Sequence, residues 1–256
     1  MNRILVALRL TVLGLAYAAL GPAQTVAIRF GWRVRDWIPV LFHRLFLALF
    51  GVRVIEKGTP PGSAATLVVA NHVSWIDIPV LSSLHPVSFV AKSEIDGWPV
   101  AGTLARLQRS VFIDRQRRMA TAEASHEVAH RLANGEAVVL FAEGTTGDGN
   151  RVLPFRSSLV GAARAALADP PAERILLQPL AIAYTRRNGL PVGRRERPAI
   201  CWYGDMDLVP HLAAFVRGGP LDVVVTWGEP IPFDGGRKEA TARAESVVRA
   251  AIRGLR

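Results

Sequence analysis

Short apolar runs rich in β-branched residues alternate with segments of helical periodicity over most of the chain. We predict strands at Leu67–Ala70, Val87–Ala91, Ser110–Ile113, Val138–Phe141, Leu176–Tyr184, Ala199–Trp202 and Val223–Trp227. We predict helices around Trp75–Leu84, Arg117–Asn134, Ser157–Ala168 and Lys238–Gly254. This alternation is typical of an α/β fold. The pattern therefore predicts a single domain in which helices flank a largely buried mixed sheet.

The N-terminal part of the chain has a different pattern. Leu10–Ile28 contains 19 residues without a charge, close to the ~20 that a membrane-spanning helix needs. Trp37–Val54 is also apolar, but one histidine and two arginines interrupt it, which suits a helix lying in a membrane interface. The turn-rich segment Gly58–Gly62 follows. We therefore predict membrane-anchoring or interfacial helices over residues 1–56 and the α/β domain over residues 57–256.

Basic residues flank the first apolar stretch unevenly and set its expected orientation. Two arginines precede it, whereas Arg29, Arg33 and Arg35 crowd its other end. By the positive-inside rule the heavier side, and the α/β domain with it, lies in the cytoplasm. This predicts that the α/β domain lies on the cytoplasmic face of a membrane, with the apolar stretch either spanning that membrane or lying on it. A cleaved signal peptide ending at Ala16–Ala18 is the alternative.

The composition narrows the class of protein. Hydrophobic residues make up 50% of the 256 residues and charged residues 20%, which excludes an intrinsically disordered chain. Cys201 is the single cysteine, so a disulfide framework is excluded and a reducing compartment is favoured. A formal net charge of +10 favours anionic partners. Because the chain is also apolar, we predict a membrane surface as the partner and no nucleic acid.

Two short motifs compete as the candidate active site, and the first is His126–His130, which matches the H-E-x-x-H pattern of zinc proteases. Val128 and Leu132 mark the buried stripe of this predicted helix. Each histidine lies about 200° of rotation from Val128, at ~100° per residue. We therefore expect the histidines to face solvent and predict no metal site. A zinc peptidase stays as an alternative function.

The second motif is Asn71–Asp77, which directly follows a predicted strand. In α/β folds the carboxyl end of a strand is where chemistry is usually placed. The histidine at position 72 can take a proton from a hydroxyl, and the carboxylate at position 77 can fix its tautomer and stabilise the imidazolium. This requires His72 to lie in the turn and Asp77 to point back from the first helical turn. The alternative is a capping Asn71 beside an ordinary surface histidine.

Three further strand ends carry residues suited to a site. Ala142–Gly149 combines glycines with polar side chains, Phe112–Arg115 ends in an arginine, and Leu177–Leu180 contains a proline. Strand ends that converge on one edge of a sheet would line a pocket. A single arginine such as Arg115 suits a structural ion pair equally well.

In their order and spacing, these blocks resemble the glycerolipid acyltransferase family, of which bacterial lysophosphatidic-acid acyltransferases are the type. The family's N-H-x-x-x-x-D, F-x-x-R-like, P-E-G-T and proline blocks correspond to Asn71–Asp77, Phe112–Arg115, Ala142–Thr146 and Gln178–Leu180. The resemblance implies an O-acyltransferase of membrane lipid biosynthesis. Its co-substrate would be an acyl thioester, either acyl-CoA or acyl-carrier protein, and its acceptor the hydroxyl of a lysolipid. No other cofactor is implied.

The resemblance also implies roles for individual residues. His72 would be the general base and Asp77 the residue that orients it. The implied substrate-binding residues are Asn71, Arg115, Glu143, Gly144, Thr145, Thr146 and Asp148. Among these, Glu143, Gly144 and Thr145 would shape the site of the acceptor headgroup, and Arg115 would bind an anionic group.

Two departures from the family pattern bear on the acceptor. Ala142 replaces the usual proline. Thr146 stands where members that acylate a phosphate-bearing acceptor usually carry an arginine, whose guanidinium matches a phosphate monoester. Gly147–Asn150 and Trp202–Met206 are similar to the branch that includes lyso-ornithine lipid acyltransferases. The expected acceptor is lyso-ornithine lipid or 1-acylglycerol-3-phosphate.

Two points stay open at this stage. Asp148 would either meet an amine of a zwitterionic acceptor or act as a simple turn residue between glycines. A non-catalytic, basic membrane-surface binding protein remains the other alternative to an enzyme, since the net charge of +10 would by itself favour binding to acidic lipid headgroups.

Overall fold

The computed structural model describes residues 3–62, 64–113, 118–165, 176–232 and 236–255, with the side chains of 118–125 and 162–165 left aside. Its strands are β1 (Val52–Lys57), β2 (Thr66–Ala70), β3 (Val87–Lys92), β4 (Val111–Ile113), β5 (Ala137–Phe141), β6 (Leu176–Arg187), β7 (Leu190–Pro191), β8 (Leu221–Trp227) and β9 (Ile231–Pro232). Its α-helices are α1 (Arg3–Arg29), α2 (Ile38–Phe50), α3 (Asp77–Leu84), α4 (Ala101–Leu107), α5 (Arg118–Ala133), α6 (Ser157–Ala165), α7 (Leu208–Arg217) and α8 (Arg237–Arg253).

The described strands form one mixed sheet in the order β1-β8-β6-β2-β5-β3-β4, with the short strands β7 and β9 added to β6. The segment from β6 through β2, β5 and β3 to β4 is parallel throughout. Strand β8 runs antiparallel to β6, and β1 pairs parallel with β8. The predicted fold class, a mixed sheet flanked by helices, is therefore confirmed.

Apolar side chains on the two faces of the sheet pack into two separate clusters. Along β2, Val68 and Ala70 enter one cluster, whereas Leu67 and Val69 enter the other, as the two-residue period of a strand requires. Helices α2, α3 and α7 cover the first face, and α5, α6 and α8 cover the second. Because both faces are covered, the central strands read as continuous apolar runs.

Six of the seven predicted strands are present, but the strand predicted at Ala199–Trp202 is wrong. A short 3-10 helix, Arg197–Ala199, occupies its start. The amides of Ile200 and Cys201 both donate to the Arg197 carbonyl, at 2.9 and 2.6 Å, so the chain turns instead of extending. Both side chains are buried in the core, which explains why this turn reads as an apolar run.

The apolar stretch Trp37–Val54 divides into a helix and a strand. Gly51, with φ of 69°, ends α2 in the left-handed conformation that a helix C-terminus commonly uses. The chain then enters the sheet as β1, so the helical character predicted for residues 1–56 ends at Phe50. Strand β1 also crosses the predicted boundary between residues 56 and 57. The division into an anchoring and an α/β region stays a prediction.

Helix α1 is long and apolar enough to cross a membrane, and it is the one such helix within the described residues. Most of its side chains are exposed. Gln24 is an exception, because it is buried and its side-chain amide donates to the carbonyls of Arg35 and Leu107, both at 2.8 Å. These hydrogen bonds tie α1 to the 3-10 helix Arg33–Asp36 and to α4.

Candidate active site

The loops that follow β2 and β5 meet at one edge of the sheet. Both strands are parallel neighbours, with Ala70 beside Phe141, so their carboxyl ends lie together as predicted. The Gly147 amide donates to the His72 carbonyl at 2.7 Å and joins the two loops. The Trp202 amide donates to the Val73 carbonyl at 2.8 Å and brings in a third segment.

His72 and Asp77 form a hydrogen-bonded pair at this edge. The His72 Nδ1 atom lies 2.8 Å from Asp77 Oδ2. His72 lies in the turn, and Asp77 opens α3 and points back at it, which is the geometry that the sequence predicts. The His72 side chain is 19% exposed, whereas that of Asp77 is fully buried. The carboxylate thus holds the Nδ1 proton and leaves Nε2 with a lone pair.

The Asp77 carboxylate is held on both oxygens. Oδ2 also accepts from the backbone amides of Val73 at 2.8 Å and Ser74 at 3.0 Å. Oδ1 accepts from the Tyr184 hydroxyl at 2.6 Å. Donors of this kind stabilise the charged form of a carboxylate. These donors fix the position and orientation of the buried carboxylate beside the imidazole.

Tyr184 is a residue of the site that the sequence does not reveal. It lies inside β6, within an apolar run, and only the pairing of β6 with β2 brings its hydroxyl to Asp77. Burial, and then the charge of Asp77, raise the pKa of Tyr184 well above its ordinary value, so the hydroxyl stays protonated as a donor. The Phe141 ring also contacts His72, on which it stacks with ring centroids 3.8 Å apart.

Asn71 extends the pairing of β2 with β6 beyond the end of β2. Its side-chain amide donates to the Ile182 carbonyl at 3.0 Å, and its Oδ1 accepts from the Ile182 amide at 2.8 Å. The side chain is buried and both of its polar atoms are engaged. This pairing argues against the predicted substrate contact and favours a positioning role, in which Asn71 fixes the chain where His72 begins the loop.

Glu143 lies buried in the loop after β5. Its Oε1 accepts from the Leu153 amide at 3.2 Å, and its Oε2 is buried without a hydrogen-bond partner among the described residues. Burial raises the pKa of Glu143 to about 8, against the opposing effect of the nearby amides of Leu153 and His72. Because the carboxyl group is buried and the His72 amide lies near it, Glu143 is suited to positioning the His72 loop, and its substrate contact stays a prediction.

The neighbouring predicted residues differ in accessibility. Thr145 is exposed and Thr146 is half-buried. Gly144 has φ of 72°, and an added Cβ would lie 3.1 Å from the Arg156 side chain, so this position favours glycine.

The carboxylate of Asp148 accepts from the backbone amide of Asn150 at 2.9 Å and from the side-chain amide of Asn150 at 2.8 Å. These bonds lower the pKa of Asp148 and favour the turn interpretation over an amine partner.

The remaining predicted residues lie away from this cluster or outside the described chain. Arg115 falls in the segment 114–117, outside the described residues. His126 and His130 on α5 are exposed, while Val128 and Leu132 are buried, so the predicted solvent-facing orientation is confirmed. Among the described residues, no cluster of three or more His, Cys, Asp or Glu side chains suits a metal ion.

A histidine–carboxylate pair beside a glycine-rich loop at the carboxyl edge of a mixed sheet is suited to general-base catalysis. Residues 51–183 match the model of the Acyltransferase family, and the chain belongs to this family. The lyso-ornithine lipid O-acyltransferases of Brucella abortus and Rhizobium meliloti are 47% and 44% identical to it, over 87% and 94% of this chain and 83% of each relative. The predicted enzyme class, an acyltransferase, is thus confirmed.

Two further comparisons include proteins with a different acceptor in their names. A 1-acyl-sn-glycerol-3-phosphate acyltransferase of Neisseria gonorrhoeae is 38% identical over 41% of this chain and 41% of its own length. The crystal structure of the 1-acyl-sn-glycerophosphate acyltransferase from Thermotoga maritima superposes with a TM-score of 0.69 at 20% identity, covering 98% of this chain and 95% of that one. At this identity the structural match shows the fold alone.

Proposed function

We propose that this protein transfers a fatty acyl group from an acyl thioester to the hydroxyl of a lysolipid, with lyso-ornithine lipid as the preferred acceptor. The observation that carries the proposal is the His72–Asp77 pair, whose Nδ1 and Oδ2 atoms lie 2.8 Å apart at the carboxyl edge of the sheet. A base of this kind is what an unactivated hydroxyl needs before it can attack a thioester.

In the proposed mechanism, His72 Nε2 removes the proton from the acceptor hydroxyl as its oxygen attacks the thioester carbonyl. Asp77 keeps the proton on Nδ1 and stabilises the imidazolium that forms. The tetrahedral intermediate carries a negative oxygen, which backbone amides of the loops at this edge would stabilise. When the carbon–sulfur bond breaks, the imidazolium returns its proton to the leaving thiolate. The products are an ester and a free thiol.

Two observations favour an ornithine-bearing acceptor over a phosphate-bearing one. The relatives that match this chain over 87% and 94% of its length carry the name lyso-ornithine lipid O-acyltransferase. In addition, Thr146 provides a neutral hydroxyl where phosphate-acceptor members usually have a guanidinium, which would bind a dianionic phosphate more strongly. 1-Acylglycerol-3-phosphate remains the second acceptor to test.

The location and the donor are parts of the same proposal. Helix α1 is apolar and largely exposed, which supports a location at a membrane. The excess of arginines after this stretch favours the cytoplasmic face, and we propose a bacterial inner membrane. The donor is an acyl thioester, either acyl-CoA or acyl-carrier protein. The proposed chemistry requires no metal or redox cofactor.

The test is a transfer assay with the full chain in lipid vesicles. Lyso-ornithine lipid and 1-acylglycerol-3-phosphate are offered in parallel, each with a labelled acyl group on CoA or on carrier protein. We expect a higher kcat/KM with lyso-ornithine lipid and a rate about 10²–10⁴-fold lower with a His72→Ala variant. A preference for the phosphate acceptor would contradict the assignment of the acceptor. Full turnover by the variant would contradict the mechanism.

A further inference from the structure

A cavity of about 390 Å³ lies next to the candidate active site. Its walls come from the segment after the β5 loop, from β6, from the chain between β7 and the 3-10 helix at Arg197, and from the end of α8. The imidazole of His72 does not line it, so the reacting hydroxyl and an occupant of this cavity would be different parts of a substrate or different molecules.

Three arginines line this cavity, and no acidic side chain does so among the described residues. Arg151 and Arg194 are exposed, and neither makes a hydrogen bond or ion pair within the described part of the chain. Asp148 and Glu196 lie nearby. A hydrogen bond from Asn150, and then the charges of Arg151 and Arg197, contribute to lowering the pKa of Asp148. The three arginines outnumber these two carboxylates. The cavity therefore concentrates positive charge.

Arg197 supplies a donor that has no acceptor. Its Nη1 donates to the Gly149 carbonyl at 2.7 Å, which fixes the guanidinium in place. Its Nε is buried and has no hydrogen-bond partner within the described chain. A buried, unpaired N–H of a charged group costs free energy, and an anion in the cavity would offset that cost through its attraction to the positive guanidinium. The fork of a guanidinium fits carboxylate and phosphate groups.

Gly149 shapes the wall behind this guanidinium. Its φ is 73°, and a Cβ at this position would lie 2.7 Å from Cys201 Sγ and 3.1 Å from Arg197 Nη1. A larger residue would therefore displace the arginine from the cavity wall. The backbone at Gly149 thus permits the placement of Arg197.

The cavity reaches close to the catalytic pair. Asn71 and Val73, the neighbours of His72 in the chain, both line it, and consecutive Cα atoms are only about 3.8 Å apart. Tyr184 lines it as well and donates to Asp77 at 2.6 Å. The cavity therefore begins beside the loop that carries His72.

We propose that this cavity binds the anionic oxygen group of a substrate, a carboxylate or a phosphate, through Arg151, Arg194 and Arg197. The inference rests on the proposed function in assigning the group to a substrate of acyl transfer. The carboxylate of an ornithine headgroup and the phosphate of 1-acylglycerol-3-phosphate share this chemistry, and so do the phosphates of CoA and of carrier-protein thioesters. Kinetic measurements identify which substrate carries the bound group.

The test compares Arg194→Gln and Arg197→Gln with Arg243→Gln, which removes an equal charge from an exposed position on α8 outside the cavity. Binding of radiolabelled inorganic phosphate to the full chain is measured by equilibrium dialysis, and KM is measured for acceptor and donor separately. We expect each cavity variant to weaken phosphate binding and to raise the KM of one substrate by about 5- to 20-fold, with kcat little changed. Arg243→Gln should behave as the wild type.

Each outcome bears on the proposal in a definite way. A raised KM for the acceptor assigns the group to the lysolipid headgroup, and a raised KM for the donor assigns it to the thioester carrier. Unchanged KM values together with unchanged phosphate binding would overturn the proposal. If the cavity variants lose phosphate binding but the wild-type protein transfers no acyl group, the cavity proposal is supported and the proposed function is contradicted. Because Arg194 is exposed, its variant tests the site even if Arg197→Gln folds poorly.

Discussion

His72 is the residue on which the proposed chemistry depends. Replacing it with alanine removes the general base, while the backbone amides of Val73 and Ser74 still hold the Asp77 carboxylate. General-base catalysis typically contributes about 10²–10⁴-fold, so we expect kcat for His72→Ala to fall by that factor in the transfer assay. The matched control is His126→Ala on the exposed face of α5. A twofold loss at position 72, or a large loss at position 126, would contradict the assignment.

Tyr184 holds the second oxygen of the buried carboxylate, and removing its hydroxyl leaves that oxygen without this donor. For Tyr184→Phe we expect the free energy of unfolding to decrease by about 1–3 kcal/mol. We also expect kcat to fall while KM for the acceptor stays close to the wild-type value, because Tyr184 acts through Asp77. Chemical denaturation and steady-state kinetics measure both effects. Tyr203→Phe, in a half-buried loop position, should change neither.

Glu143 makes stability depend on pH. Its pKa is raised from 4.5 to about 8 in the folded chain, so the folded state binds the proton more tightly than the unfolded state does. The stabilisation is complete below pH 4.5 and is lost as the pH rises towards about 8. Melting temperatures of the wild type should fall across this window, whereas Glu143→Gln should flatten that dependence. Glu239→Gln, at an exposed site on α8, should leave the profile unchanged.

At the scale of the secondary-structure elements, the end of β1 depends on a glycine. Gly58 has φ of 78°, and a Cβ there would collide with the Trp227 carbonyl oxygen of β8. We expect Gly58→Ala to reduce the free energy of unfolding by about 1–3 kcal/mol, since both the backbone conformation and the close contact are unfavourable. Gly62→Ala is the matched control, because open space surrounds that position. Equal melting temperatures for the two variants would contradict this account.

The elements also differ in how far the sequence predicts them. The central strands are evident because both faces of the sheet are covered, which makes each strand a continuous apolar run. Strand β1 is hidden in a longer apolar stretch, since a single residue, Gly51, separates it from α2. The turn at Ile200 and Cys201 resembles a strand in the sequence because its residues are apolar. They are apolar because they are buried in the core, although the chain turns at this point.

The site shows the same limit. The His72–Asp77 pair is predictable because its geometry is local, within one turn and the start of α3. Tyr184 and the partner of Asn71 are not, since both depend on the register in which β6 pairs with β2, with Ala70 beside Leu180. No periodicity within β6 marks one of its residues as a partner of a carboxylate.

At the scale of the whole molecule, membrane association should depend on the exposed face of α1. Leu15 is 67% exposed on that helix, and Leu190 is 68% exposed at the end of the β6–β7 hairpin. An arginine near the centre of an inserted helix costs about 2.5–3.5 kcal/mol. We therefore expect Leu15→Arg to reduce the fraction of protein that floats with vesicles, while Leu190→Arg leaves it unchanged. Equal flotation of the two variants would argue against insertion of α1.

The hydrogen bonds of Gln24 to Arg35 and Leu107 have a consequence for how a lipid reaches the enzyme. They couple the apolar helix to the 3-10 helix Arg33–Asp36 and to α4. The proposed general base, His72, would therefore keep a constant height above a membrane into which α1 is inserted. A lysolipid diffusing within the leaflet would then present its hydroxyl to the base only when its headgroup holds that hydroxyl at the height of the imidazole. Discrimination between lipids would begin with this vertical alignment, before any side chain touches the headgroup.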